Sequence, residues 1–433
     1  MKNLESFGIQ IPLILLPAQI DLQTWPVIAC DQYTQDVTYW KTAAELTAGK
    51  PSTLNLILPE VYLNSPDKEE RIKNIHLAMN KYLSTGIFAP PKRECIYVER
   101  KTAYGRLRHG LVLAIDLETY EWKPFSKAYI RSTEATIVER IPPRMEIRRG
   151  APLETPHIML LVNDPDHCLV EAAGSMAKAS GRQPVYAGTL MQNGGSITGW
   201  AIDTEPEIKA VEKAVNRIAE QNTAADGSVF LFAAGDGNHS LATAKAVWDE
   251  YKKQAHTLNS PVRYALVEIV NIYDSGLTFE PIHRVLFNLD PRTVLSFVQT
   301  KLGGTVISCT DASQLEKAVR DSSSSYGFAY TENGKLQFRC LQTEKKELAV
   351  SLLQPVLDTY IQVHKDTTID YIHGSADVLK LAEKGNTVSV LLPPVAKDSF
   401  FATINGRGPL PRKSFSMGEA DEKRFYLECR SLF

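Results

Sequence analysis

Residues 228–248 read S-V-F-L-F-A-A-G-D-G-N-H-S-L-A-T-A-K-A-V-W. The apolar run Val229 to Ala234 has the length and character of a buried strand. The chain then turns through Gly235-Asp236-Gly237-Asn238, where a D-G pair and two glycines permit positive φ. Ser240 to Trp248 is good helix-forming sequence. A strand, a glycine turn and a helix in that order aim backbone N–H groups at an anion. The stretch predicts a phosphate or nucleotide site.

Working outward, the 433 residues are 44% hydrophobic and 23% charged, enough chain for two or three domains with real cores. A net charge of −2 supplies no large positive field, which argues against nucleic acid as the main partner. The apolar run Ile9–Leu16 is broken by Pro12, lacks a basic flank and is too short for a bilayer, so it reads as a strand. No other stretch nears the length of a membrane span, so no membrane partner is expected. The six cysteines are scattered with no C-x-x-C, which argues against a zinc site and a disulfide framework and fits a cytoplasmic protein.

Upstream of the loop the texture is mixed α/β. Val27–Cys30 reads as a short buried strand, and a helix follows with Tyr39, Trp40, Ala43 and Leu46 on one face. Asp31 lies between them. It either starts that helix, as Thr34 also could, or stands as a functional group at a strand end. Ser65-Pro66-Asp67 reads as the start of the next helix. Residues 95–118 read as two strands turning at Tyr104-Gly105. Residues 127–164 are crowded with Arg131, Glu134, Glu139, Arg140, Arg144, Glu146, Arg148 and Arg149. Pro142-Pro143 opens a helix that puts Arg144 and Arg148 on one face. Arginine forks suit phosphate and carboxylate, although a solvated face of mutually paired charges explains the run as well. Arg131-Ser132-Thr133-Glu134 and Thr136 form a polar cluster with little else to explain it. His157–Val162 reads as a buried strand, Pro184–Leu190 and Ile197–Ile202 as a strand pair, and Thr204–Glu207 as a capping box.

Downstream, Tyr264–Tyr273 is a long apolar strand holding Glu268, which needs a buried partner. It leads to Phe279-Glu280-Pro281-Ile282-His283-Arg284. From about Asn288 the helices and strands read as a smaller α+β unit. The expected division is therefore 1–287 as a nucleotide-binding region with N-terminal α/β elements, and 288–433 as a smaller α+β domain whose tail packs back on the core. In that tail Lys413-Ser414 either faces a phosphate or closes the fold.

The central loop is no P-loop, since no Lys follows its glycines at the right place, and no Rossmann fingerprint, since Asn-His-Ser follows G-x-G. What remains is a turn of backbone donors at a helix start. Asn238, His239 and Ser240 can bond phosphate oxygens, and Asp236 can hold Mg²⁺ or stabilise the turn. His239 can equally be a packed, satisfied histidine.

Gly237-Asn238-His239 followed by Thr243 resembles the G-x-H-R-x-x-A motif of the ParB/sulfiredoxin-like nucleotide-binding fold. Several stretches in order also resemble the domain of unknown function 1015 family, related to the free serine kinases. They are A-C-D-Q-Y at 29–33, R-S-T-E-A-T at 131–136, G-D-G-N-H-S-L-A-T-A at 235–244, P-I-H-R at 281–284 and L-P-R-K-S-F-S-M-G-E at 410–419. The resemblance implies a mixed α/β fold with a ParB/sulfiredoxin-like core and a smaller C-terminal α+β domain. It implies a nucleotide, ATP or ADP with Mg²⁺, at Gly235, Gly237, Asn238, His239 and Ser240. It further implies phosphoryl transfer to a small hydroxyl substrate such as free serine. Asp31, Asp236 and His239 are the catalytic candidates. Arg131, Thr133, Glu134 and Arg140 join the phosphate site, and Glu268, His283, Arg284, Lys413 and Ser414 stand behind it. Where the family motif has Arg, this chain has Ser240, so Arg131, Arg140 or Arg284 must take over that charge. The alternative is a non-catalytic nucleotide-binding regulator.

Overall fold

The computed structural model describes residues 1–179 and 181–433. Its compact units are residues 1–277 with 419–433, and residues 278–418. Both are mixed α/β.

The first unit is built on a ten-stranded mixed sheet. Its order is Tyr186–Thr189, Ser196–Ile202, Cys95–Lys101, Leu107–Asp116, Tyr264–Asn271, Met159–Val162, Phe232–Asp236, Ile130–Ser132 and Tyr120–Glu121. Ile9–Gln10 pairs beside Leu107–Asp116. The central strands alternate apolar residues to both faces, as period-two side chains must. Leu111, Leu113 and Ile115 join Ala265, Val267 and Ile269 in one core, which also takes Leu241, Ala244 and Trp248 of the helix Asn238–Ala255. Val112, Ile96 and Leu266 join Trp25, Trp40, Met79 and the tail residues Phe425–Leu427 in a second core. Elements cover both faces, so strands such as Tyr264–Asn271 are buried throughout beyond their first residue.

The strand pairings place the ends that matter. Phe232–Asp236 runs parallel to Ile130–Ser132 and antiparallel to Met159–Val162. The C-terminal ends of the first two therefore meet the N-terminal end of the third. The register shifts between Ala234 and Asp236, a bulge at Gly235 that frees the chain to turn.

Local readings of the sequence differ from the structure in informative places. The strand at the loop begins at Phe232, not Val229, which instead bridges Thr223. The turn contracts to Gly237, and the helix starts at Asn238. The helix Val37–Leu46 is capped by Asp36, whose Oδ1 accepts from Tyr39 N–H at 3.0 Å, so Asp31 and Thr34 do not start it. Val27–Cys30 makes only an isolated bridge, Ile28 to Phe425. The helix after Ser65 spans Lys68–Ser84, since the Ser65 hydroxyl turns back to Tyr62 O. The 95–118 hairpin and the Glu207 capping box form as read.

The second unit holds a seven-stranded sheet ordered Thr305–Cys309, Lys335–Gln342, Ser325–Glu332, Thr387–Leu391, Phe279–Phe287 and Thr368–His373, with Phe415–Met417 also on Phe279–Phe287. Helices Pro291–Leu302, Ala312–Arg320, Ala349–Val363, Ser375–Leu381 and Lys397–Arg407 accompany it. Among the described residues no helix is long and apolar enough to cross a membrane.

Candidate functional site

Gly237 caps the helix with φ 71°, left-handed backbone that suits glycine. A Cβ there would lie 3.0 Å from Ile158 Cα and 3.4 Å from His157 Cδ2. The turn is thus pressed against the start of the neighbouring strand. Helix hydrogen bonding begins with Leu241 N–H to Gly237 O at 2.9 Å. The N–H groups of Asn238, His239 and Ser240 have no acceptor among the described residues. They are the unpaired donors of an eighteen-residue helix, at its positive end.

The three side chains of this turn divide the work. Asn238 faces the protein. Its Oδ1 accepts from Ser132 Oγ at 2.6 Å and Tyr120 OH at 3.3 Å, and its Nδ2 donates to Glu134 O at 3.3 Å and Thr136 Oγ1 at 3.1 Å. It ties segment 132–136 to the helix start. His239 Nε2 accepts from Ile137 N–H at 3.2 Å, which leaves the proton on Nδ1. Burial, then the charges of Arg140 and Arg144, push its pKa down to about 4, against a weaker pull from Asp31. His239 is therefore a neutral donor at ordinary pH. Ser240 makes no side-chain hydrogen bond among the described residues and faces a cleft. Asp236 closes the turn: Oδ1 accepts from Gly237 N–H at 2.9 Å, and Oδ2 lies 3.5 Å from Lys423 Nζ.

Asp31 joins this group through electrostatics and packing. Its Oδ2 lies 3.4 Å from His157 Nε2. Burial pushes the Asp31 carboxyl up, but His157, Gln32 and Lys423 outweigh it and hold the group ionised well below its usual range. His157 is fully buried; burial opposes its charge, and Asp31, Asp236 and Glu60 raise its pKa regardless. The Tyr426 hydroxyl sits 2.6 Å from His157 Nδ1 and accepts from Cys30 N–H at 3.1 Å. Arg144 forks onto Glu60, with Nε to Oε1 at 2.9 Å, and donates to Arg140 O at 2.7 Å. Arg140 is exposed and has no ion-pair partner among the described residues. It supplies a positive charge next to His239.

Other expected residues lie elsewhere. On strand Ile130–Ser132, Ser132 faces Asn238, so Arg131 points to the opposite face. There it donates to Ala128 O at 2.9 Å and stacks over Phe230 at 4.6 Å. Thr133 donates to Ala234 O at 2.6 Å and is buried, bracing the strand end. Glu134 meets the site through its backbone carbonyl. Glu268 is paired with Arg424 and lies 3.6 Å from Arg108, while Arg424 holds Glu428 at 2.5 Å. His283, Arg284, Lys413 and Ser414 belong to the second unit. His283 Nδ1 accepts from Leu392 N–H, Arg284 donates to Gln354 at 3.0 Å, and Ser414 donates to Pro411 O. Lys413 is exposed in left-handed backbone.

Sequence reasoning missed His157, Lys423, Tyr426 and Glu60. The tail reaches the site because the hairpin holds it: Arg106 pairs with Glu422 at 2.7 Å, Arg108 donates to Glu422 O at 2.9 Å and Arg100 donates to Asp421 O at 3.1 Å. The run Glu422-Lys423-Arg424-Phe425-Tyr426 carries no local signal of this contact.

Among the described residues no group of three or more His, Cys, Asp or Glu could hold a metal ion. Asp236 spends its oxygens on Gly237 N–H and Lys423, so the donors present do not fit a protein-held Mg²⁺. A nucleotide phosphate does fit three unpaired N–H groups beside Arg140.

The family model described as "Protein of unknown function (DUF1015)" matches residues 15–360. Among curated proteins none matches in sequence. A conserved hypothetical protein from Pyrococcus furiosus is similar at 12% identity and TM-score 0.35, over 74% of this chain and 97% of that one. A mutant free serine kinase in complex with ADP is similar at 10% identity and TM-score 0.37, over 73% and 91%. SbnI with a C-terminal truncation, from Staphylococcus aureus, is similar at 8% identity and TM-score 0.35, over 73% and 85%.

Proposed function

The chain belongs to the DUF1015 family, and from that premise we propose that it binds a nucleotide phosphate at Gly237–Ser240 and transfers a phosphoryl group from ATP or ADP to a small hydroxyl substrate. The observation that carries this reading is the helix start itself. Three N–H groups without an acceptor among the described residues and the neutral donor His239 share that start, and Arg140, without an ion-pair partner among the described residues, adds a positive charge felt at His239. Together they make a preorganised anion cradle.

Phosphoryl transfer asks mainly for positioning and charge stabilisation. The bond from the transferred phosphorus to its bridging oxygen breaks as the acceptor oxygen bonds to phosphorus. The nucleotide leaves with one phosphate fewer. The acceptor proton passes to the Asp31 carboxylate, the acid electrostatically coupled to His239. Asp31 is a weak base, because His157 favours its charged form. Its part is to orient the hydroxyl and take the proton late, when the forming P–O bond has made that proton acidic. Arg140 fills the role left open by Ser240.

The weak basicity of Asp31 also supports the second reading, a regulator that binds nucleotide without turnover. One experiment separates the two. The full chain is incubated with ATP or ADP, Mg²⁺ and a pool of hydroxyl compounds, and phosphorus NMR is read for a new phosphate ester. A thermal shift with ADP and a new ester support the kinase. A shift without any ester supports the regulator, and no shift removes both.

A further inference from the structure

Beside the anion cradle, and sharing Ser240 with it, lies an open cleft of about 140 Å³. Its polar end carries Ser240 and Thr243, one turn apart on the helix, with His157 and Tyr426. Thr243 is 3% exposed, and its hydroxyl has no hydrogen-bond partner among the described residues. His157 is equally buried, but its ring is engaged on both sides, Nε2 3.4 Å from Asp31 and Nδ1 2.6 Å from the Tyr426 hydroxyl. A buried hydroxyl left like that of Thr243 costs about 1–3 kcal/mol unless something pairs it. The body of the cleft is different: Leu56, Leu58, Met79, Ile147, Ala151 and Leu153 form its wall. Its charged residues are already neutralised, Arg144 by Glu60 and Arg148 by Glu154 at 2.6 Å.

We infer that this cleft takes a hydroxyl-bearing small molecule with a compact apolar body, a single ring or a short carbon chain, its hydroxyl meeting Thr243. The identification of this molecule as the phosphoryl acceptor rests on the proposed function; its binding does not. The enclosed part of the cleft suits a single ring, since a cavity of about 150 Å³ accommodates benzene. Composition excludes a wholly polar acceptor as the best fit, since such a molecule would leave the aliphatic wall uncovered.

The test uses the full chain and a probe series of 1-propanol, 1-butanol, 1-pentanol, 1-hexanol and benzyl alcohol, with glycerol as the polar reference. Dissociation constants are read by ligand-observed NMR, and an ADP thermal shift is read in parallel. Affinity should rise about three- to fourfold per methylene until the cleft is full, with glycerol weakest. Ala151→Phe should erase the rise by filling the cleft. Thr243→Val, which keeps the shape and removes the hydroxyl, should weaken every alcohol about threefold to tenfold. A flat series, a rise that survives Ala151→Phe, or alcohol affinities that Thr243→Val leaves unchanged overturns the inference even if ADP binds. A rising series that Ala151→Phe erases and Thr243→Val weakens throughout, in a chain that ignores ADP, upholds the cleft and overturns the phosphate reading. If Ala151→Phe does not fold, Thr243→Val decides alone.

Discussion

Asn238→Ala removes four hydrogen bonds at once: those from Ser132 and Tyr120, and those to Glu134 O and Thr136. Two of them are 3.3 Å long and contribute at the low end of the usual range, about 0.5–1.5 kcal/mol each. The buried hydroxyls of Tyr120 and Ser132 keep each other at 3.3 Å, and Ser132 keeps Thr136 at 3.3 Å, so neither is orphaned. The expected cost is therefore about 2–3 kcal/mol. Asn238→Asp keeps the acceptor, loses the two donated bonds and regains part of the loss at the helix's positive end, for a net cost of about 1 kcal/mol. It also sets a negative charge among the three N–H groups and should abolish the ADP thermal shift. Urea unfolding read by tryptophan fluorescence is the assay. Trp25, Trp40, Trp122, Trp200 and Trp248 are all in the first unit, so the signal reports that unit alone. An Asn238→Ala midpoint within about 0.5 kcal/mol of the parent, or undiminished ADP binding by Asn238→Asp, would refute the assignment of Asn238 as the clamp of this site.

Asp31→Asn should lower the His157 titration midpoint, because its nearest carboxylate no longer opposes burial; the imidazole Cε1–H NMR shift against pH reads this. The sign of the linked stability follows: the Asp31 contribution is lost as pH falls below about 3.8, the His157 contribution is lost as pH rises through its raised pKa, and the variant should lose both limbs. Arg140→Ala should leave stability within about 0.5 kcal/mol, weaken ADP about tenfold or more, and raise the His239 pKa from about 4; calorimetry and NMR check the three. Arg424→Met removes the close ion-pair partner of both Glu268 and Glu428 and should cost about 3–5 kcal/mol, with earlier proteolytic cleavage in 419–433 as its local signature.

The strand, glycine turn and helix at 232–255 could be read from the sequence because each depends on neighbours: apolar run, D-G pair, helix formers. The hairpin at 95–116 and the Glu207 capping box were legible for the same reason. The site's chemistry was not local. Tyr426 and Lys423 arrive from a segment nearly two hundred residues beyond the loop, held by arginines of a hairpin well before it. No periodicity records such a contact. Arg131 shows the opposite failure. Its residue type suited phosphate, but once Ser132 faces Asn238 a period of two sends Arg131 to the other face. Asp31 was ambiguous as cap or acid until Asp36 was seen to cap the helix.

The tail also decides whether the loop can hold an anion. Asp236 closes the turn with a carboxylate that would repel a phosphate beside it. At about 6 Å and an effective dielectric near 20, that repulsion is roughly 2–3 kcal/mol. Lys423, 3.5 Å from Asp236 Oδ2, cancels it. Asp31 is offset by His157 and Glu60 by Arg144, so Arg140 is left as the uncompensated charge facing His239. Lys423→Met should then weaken ADP binding some tens-fold, whether or not Lys423 touches the nucleotide. Adding Asp236→Asn, which keeps the oxygen that accepts from Gly237 N–H, should restore most of that loss. A Lys423→Met variant that binds ADP normally would show that the loop's charge is balanced some other way. Failure of the double variant to recover would show instead that Lys423 acts by direct contact, and calorimetry on the four chains distinguishes these results.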